Sequence, residues 1–137
     1  MTALIDTGFL YATLDEDDKN HQRVTNSLAN LTEDLLLPTI VLVELTYLLQ
    51  ARLGHAAMRL FIQQLEHSSL QFEVITKADV PRIYELVDQY ADARLDFVDA
   101  AIVTLAERLN VRLILTVDER DFRMVRPRHC DYFEILP

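Results

Sequence analysis

Short apolar runs alternate with longer segments of helical periodicity along this chain, and the alternation predicts strands separated by helices. The runs predicted as strands are 2–5, 35–37, 72–75, 113–117 and, at a sheet edge, 132–136. The segments predicted as helices are 7–14, 19–30, 39–52, 55–67, 77–92 and 96–109. This order indicates an α/β domain with a mainly parallel central sheet of four to five strands flanked by helices.

Residues 96–109 show the most regular helical pattern in the chain. Their apolar positions fall on one face at about 100° per residue, and these are Val98, Ala101, Ile102, Leu105, Ala106 and Leu109. Asp99 lies about 90° from the centre of that face, at the rim of the buried surface. Asp96 precedes the helix and has the position of an N-cap, so it is either a cap alone or a functional acid.

Composition places few limits on function. The 137 residues suit one domain, residues 1–137, with a hydrophobic core. Cys130 is the only cysteine, which excludes an internal disulfide and fits a reducing, cytoplasmic location. The N-terminus lacks the basic region of a signal peptide, and no apolar run is long enough to span a bilayer.

The net charge of −9, from 22 acidic and 13 basic residues, argues against a simple nucleic-acid-binding module. It leaves room for an enzyme that reaches phosphates through divalent cations. Basic residues are concentrated near the C-terminus, at Arg120, Arg123, Arg126 and Arg128. These arginines are either a solvated tail or phosphate contacts.

Glu44 is the only charged residue between Asp34 and Arg52, within the apolar sequence PTIVLVELTYLL. An ionised carboxylate taken out of water costs several kcal/mol unless a partner compensates for it. Glu44 therefore either reaches the surface or faces a cation supplied from elsewhere in the fold.

Several acids are predicted at the same end of the sheet. Asp6 follows the first strand, Asp118 follows the fourth, and Asp96 and Asp99 open the strongest helix. In open α/β sheets, the carboxyl ends of the strands line the crevice where ligands bind. Hard oxygen ligands without His or Cys favour Mg²⁺ or Mn²⁺ over zinc, and such a site can activate water for phosphate hydrolysis.

Each acid also has a purely structural interpretation. Asp6 suits a turn before Gly8, Asp118 suits a surface loop, and Asp99 suits the first turn of a helix. We interpret Asp121, in the sequence VDERDF, as structural. The joint placement of the acids, rather than any one of them, favours a metal-dependent phosphate enzyme.

The motifs around four of these acids resemble those of the PIN-domain ribonucleases, and most closely the toxins of the VapC type from bacterial toxin–antitoxin pairs. The matching segments are LIDTGFL with Asp6, VLVELTYLL with Glu44, DFVDAAIVTLAERL with Asp99, and LILTVDERDF with Asp118. The resemblance extends over essentially the whole chain.

This resemblance implies a PIN-like fold, a pocket that binds Mg²⁺ or Mn²⁺, and endonucleolytic cleavage of RNA. Asp6 and Asp99 would be the principal metal ligands, Glu44 and Asp118 would complete the catalytic acids, and Asp96 would be an accessory ligand or a cap. Such toxins usually form homodimers and are inhibited by a cognate antitoxin protein. Glu44 is then expected to point into the metal pocket.

Three other functions fit the sequence less well. A haloacid-dehalogenase-type phosphatase needs a second Asp two residues after the first, where this chain has Gly8. A catalytically silent PIN-fold binding module would not need the acids. A structure-selective DNA nuclease would need additional helical elements for threading a strand, and the chain is short for these.

Overall fold

In a computed structural model that describes residues 1–137, the chain folds around a five-stranded sheet in which every neighbouring pair of strands is parallel. The strands are β1 (Thr2–Ile5), β2 (Asp34–Pro38), β3 (Gln71–Glu73), β4 (Leu113–Leu115) and β5 (Glu134–Leu136). Their spatial order is β3-β2-β1-β4-β5. The predicted α/β class with a parallel sheet is confirmed.

Seven helices connect and cover the strands. They are α1 (Thr7–Leu14), α2 (His21–Ala29), α3 (Thr39–Leu53), α4 (His55–Leu65), α5 (Val80–Gln89), α6 (Phe97–Leu109) and α7 (Arg120–Met124). The helix predicted at 77–92 is shorter than expected, because a 3₁₀ turn occupies Lys77–Asp79 and the chain turns again after Gln89. Helix α7 was not predicted, since five residues are too few to show a periodic pattern.

Helix α6 is more deeply buried than a single apolar stripe requires. All seven residues from Ala100 to Ala106 are buried, whereas Val98 and Leu109 are only half-buried. Small side chains at Ala100, Ala101 and Ala106 are compatible with close packing on all sides of the helix. The first turn of α6, which carries Asp99, is consequently held in place by the core.

The strand order reverses direction between β1 and β4. From β1 the chain adds β2 and β3 on one side, and it then crosses to add β4 and β5 on the other side. At such a reversal, the connections leave opposite faces of the sheet and open a crevice at the carboxyl ends of the two strands. Asp6 and Asp118 follow these two strand ends.

None of the helices combines the length and apolar character needed to cross a bilayer.

Candidate active site

A cleft of about 590 Å³ opens at the carboxyl ends of β1 and β4, and all five acids proposed from the sequence line it. They are Asp6, Glu44, Asp96, Asp99 and Asp118. These residues come from four separate parts of the chain, and the parallel sheet brings them to one end of the molecule.

Asp6 is the most buried of these acids, and its position is fixed by three hydrogen bonds. Its backbone amide donates to the carbonyl of Leu115 over 2.9 Å, which extends the pairing of β1 with β4. Its Oδ1 accepts from the amide of Thr7 at 2.8 Å, and its Oδ2 accepts from the hydroxyl of Thr116 at 2.9 Å. Burial raises the pKa of Asp6 to about 6, although both side-chain hydrogen bonds oppose the shift.

Glu44 lines the cleft from α3, but it is exposed to solvent rather than buried. Its Oε1 accepts a 2.6 Å hydrogen bond from the hydroxyl of Thr7. The desolvation cost inferred from its apolar sequence context is therefore small, because Val43 and Tyr47 beside it are exposed as well. The carboxylate of Glu44 reaches water at the mouth of the cleft, where its charge needs no counter-ion.

Asp96 caps helix α6, as its position in the sequence predicts. Its Oδ1 accepts the backbone N–H of Asp99 at 2.8 Å, and its backbone is extended, as is usual at an N-cap. The capping bond also orients the first turn of α6, so that the half-buried Asp99 faces the cleft.

Asp121 contacts Asp99, and the structural interpretation of Asp121 did not predict this contact. The pKa of Asp99 is raised well above its usual range, first by burial and then by its contact with the side chain of Asp121. Oδ1 of Asp121 is buried and has no hydrogen-bond donor. Two ionised carboxylates cannot donate to one another, so only a shared proton or a cation would satisfy this arrangement.

Thr116 connects the two strand ends. Its hydroxyl donates to Oδ2 of Asp6 and accepts the backbone N–H of Asp118 at 3.2 Å. Thr116 is buried, whereas Asp118 is exposed at the edge of the cleft. The hydroxyl therefore fixes the position of the loop that carries Asp118 relative to Asp6.

The arginines proposed as phosphate contacts differ in their surroundings. Arg123 on α7 forms an ion pair of 3.0 Å with Glu119, the N-cap of that helix, while Arg120 donates to the carbonyl of Ala93 over 3.1 Å. The guanidinium of Arg126 forms no ion pair. Arg120 and Arg126 are therefore available to an anion, whereas Arg123 is partly neutralised.

The chemistry of the cleft suits a hard divalent cation, although its acids are not arranged as a finished ligand set. Carboxylate oxygens are the ligands that Mg²⁺ and Mn²⁺ prefer. Without positive charge, burial and mutual repulsion push the pKa values of Asp6 and Asp99 upward. No three His, Cys, Asp or Glu side chains lie close enough together to hold one metal ion. Asp6 and Asp99 therefore fit a metal by donor type and electrostatics, not by preformed geometry.

Comparisons with known proteins agree on one family. The family model of the PIN domain matches residues 3–126. The sequence is 31% identical over 134 residues to Ribonuclease VapC26 of Mycobacterium tuberculosis, covering 98% of this chain and 99% of that protein.

Solved structures share the fold at lower sequence identity. VapC20 of Mycobacterium tuberculosis, described as a sarcin-ricin loop cleaving toxin, superposes with a TM-score of 0.79 at 20% identity. That match covers 87% of this chain and 92% of VapC20. A chain of a toxin-antitoxin complex from Klebsiella pneumoniae gives a TM-score of 0.65 at 18% identity, covering 90% of this chain and 92% of that one.

Proposed function

Because the chain belongs to the PIN domain family, in its VapC-type branch, we propose that it is a metal-dependent endoribonuclease and the toxin of a toxin–antitoxin pair. The observation that carries this proposal is the convergence of Asp6, Glu44, Asp99 and Asp118 on one cleft at the reversal of the strand order. The chain is similar, over nearly its whole length, to a protein named as a ribonuclease, and this similarity supports RNA as the substrate.

The acids divide into two groups by their exposure. Asp6 and Asp99, the more buried ones, would hold Mg²⁺ or Mn²⁺, which when bound supplies a water of lowered pKa and neutralises the phosphate. Glu44 and Asp118 are exposed at the cleft mouth, where a carboxylate orients the attacking water and accepts its proton. Asp96 serves this arrangement by capping α6.

The rim of the cleft favours a single-stranded substrate. Val43 and Tyr47 line the cleft and are 73% and 71% exposed, next to the acids. Exposed aromatic and apolar side chains contact unstacked bases, which duplex RNA does not offer. We therefore propose that the substrate is a single-stranded segment or loop of RNA.

The proposal also includes a protein partner. A structural neighbour is described as a toxin-antitoxin complex, which supports an antitoxin as the protein partner. A homodimer and a cytoplasmic location belong to the proposal too. The catalytically silent module remains the second candidate, because the acids are not arranged as a preformed metal site.

Cleavage of a mixed pool of structured RNAs by the purified, partner-free protein tests the proposal. We expect cutting with Mg²⁺ or Mn²⁺, none with EDTA, and none by a folded Asp99→Asn variant. Asn keeps the shape of the side chain and removes its charge, so the variant separates chemistry from folding. Cutting by Asp99→Asn at the parent rate would contradict the assigned site. No cutting together with no metal binding by calorimetry would support the silent module.

A further inference from the structure

Three exposed arginines lack a carboxylate partner and gather around one turn of the chain. Most of the protein's ion pairs use other arginines, namely Arg82, Arg108, Arg123 and Arg128. Arg94, Arg120 and Arg126 form no ion pair, although the chain carries 22 acidic residues. Their positive charge is therefore not neutralised within the molecule.

The turn at residues 90–95 contains Arg94 and contacts Arg120 and Arg126. Arg94 belongs to the turn, and the guanidinium of Arg120 donates to the carbonyl of Ala93 at 3.1 Å. The backbone N–H of Arg126 donates to the hydroxyl of Tyr90 at 3.0 Å. We call Arg94, Arg120 and Arg126 the arginine patch.

The patch borders the acidic cleft. Arg94 lies two residues before Asp96, and Arg120 lies two residues after Asp118, and both of these acids line the cleft. The hydrogen bond from Arg120 to Ala93 joins the two loops on this side. The loops that carry Asp96 and Asp118 therefore also carry positive charge, in a protein whose net charge would otherwise repel a polyanion.

The backbone conformation of Arg94 independently points to a role for its side chain. Its φ of 57° lies in the left-handed region, where a side chain is disfavoured and Gly is the usual residue. A strained residue beside a candidate active site suggests that its side chain has a function which the turn itself does not require. A guanidinium suits the bidentate recognition of phosphate.

We propose that the arginine patch binds the phosphates of single-stranded RNA next to the scissile bond, and that Arg94 is a positioning residue for cleavage. This inference rests on the proposed ribonuclease function and specifies the side of the cleft on which the RNA backbone lies. Arg123 is excluded from the patch because Glu119 pairs with it.

Binding of a mixed-sequence, single-stranded oligoribonucleotide tests the patch, with Asp99→Asn present in every variant to prevent cutting. Arg94→Gly removes the charge and relieves the left-handed backbone, so it does not unfold the protein. Each lost contact should lower the affinity about fivefold at 0.1 M salt and reduce the slope of log K against log salt by about 0.7. Arg94→Lys should retain most of the affinity.

Arg112→Ala is the matched control, because Arg112 is also exposed and unpaired but precedes β4 at the opposite end of the sheet. It should leave the affinity and salt slope unchanged. In the cleaving protein, Arg94→Gly should raise KM while kcat is largely retained. Parent protein that cuts RNA while Arg94→Gly binds it normally would overturn the patch alone. Parent protein that neither binds nor cuts RNA would overturn the proposed function as well.

Discussion

The hydroxyl of Thr7 donates a 2.6 Å hydrogen bond to Oε1 of Glu44, and this bond joins residues 37 positions apart in the chain. It fixes the carboxylate of Glu44 at the cleft mouth. Thr7→Val keeps the shape of the side chain and removes the donor. We expect this variant to lower the free energy of unfolding by about 1 kcal/mol, measured by urea denaturation. The initial rate of RNA cleavage should fall about tenfold.

Thr46→Val is the control for Thr7→Val. Thr46 lies on the same helix as Glu44, but its hydroxyl donates to the carbonyl of Leu42 in its own helix. This variant should leave cleavage unchanged. Equal losses of activity in both variants would mean that the contact between Thr7 and Glu44 has no special role.

Gly8 allows α1 to pass close to the loop after β4. A Cβ at this position would lie 2.8 Å from Cγ2 of Val117, a contact that requires one of the two to move. Gly8→Ala should therefore destabilise the protein by about 1–3 kcal/mol through overpacking, although Ala is the better helix former. Urea denaturation of Gly8→Ala, Val117→Ala and the double variant measures the coupling between the two positions.

Val117→Ala combined with Gly8→Ala should recover most of the lost stability, because it removes the methyl group that the new Cβ meets. Stabilisation by Gly8→Ala alone would contradict the close approach.

The placement of the acids could be predicted from the sequence because it follows from topology. An acid that follows a strand directly or within a few residues puts a carboxylate at one end of a parallel sheet, whatever the details of packing. Asp6 and Asp118 both follow this rule, and they line the same cleft. The cap at Asp96 was predictable for a similar reason, since capping depends only on local sequence.

The environments of the acids could not be predicted in the same way. Whether Glu44 is buried depends on which face of α3 is covered, and an apolar sequence does not show that Val43 and Tyr47 are exposed. The contact between Asp121 and Asp99 depends on α7, whose five residues show no periodicity. The left-handed backbone of Arg94 has no local signal, because Gly or Asn usually marks such a position.

Asp6 and Asp99 should make the metal-free protein less stable as the pH rises. Their pKa values are raised in the folded state, to about 6 for Asp6, so the native state keeps protons that the unfolded state has lost. The free energy of unfolding then falls with increasing pH, by about 1.4 kcal/mol per pH unit for each such proton. Above about pH 5 the carboxylates with lowered pKa values are ionised in both states and do not mask this trend.

Urea denaturation in EDTA from about pH 5 to pH 8 measures the slope. Asp6→Asn should flatten its lower part, where the carboxyl of Asp6 titrates. Mg²⁺ should restore stability most strongly at the upper end of the range, where Asp6 is ionised and the proton of Asp99 is most easily displaced. Stability that stays level or rises over this range would contradict the raised pKa values.

Asp121→Asn should stabilise the metal-free protein near neutral pH. The buried Oδ1 of Asp121 has no donor, and its carboxylate faces that of Asp99. An amide at this position no longer repels an ionised Asp99, so Asp99 need not keep its proton, and the amide can donate to the Asp99 carboxylate. We expect a gain of about 1 kcal/mol in urea denaturation. Asp131→Asn, an exposed change of the same charge, should have no effect, and a loss of stability in Asp121→Asn would show that the carboxylate is structural.

Asp96 should act as a helix cap rather than as a ligand, because its Oδ1 already accepts the backbone N–H of Asp99. Asn caps helices as well as Asp does, whereas Ala does not. Asp96→Asn should therefore keep cleavage within about twofold of the parent, a change of less than half a kcal/mol in the barrier. Asp96→Ala should cost about 1 kcal/mol of stability and reduce cleavage by displacing Asp99. A stable Asp96→Asn protein that no longer cuts RNA would instead make Asp96 a member of the metal site.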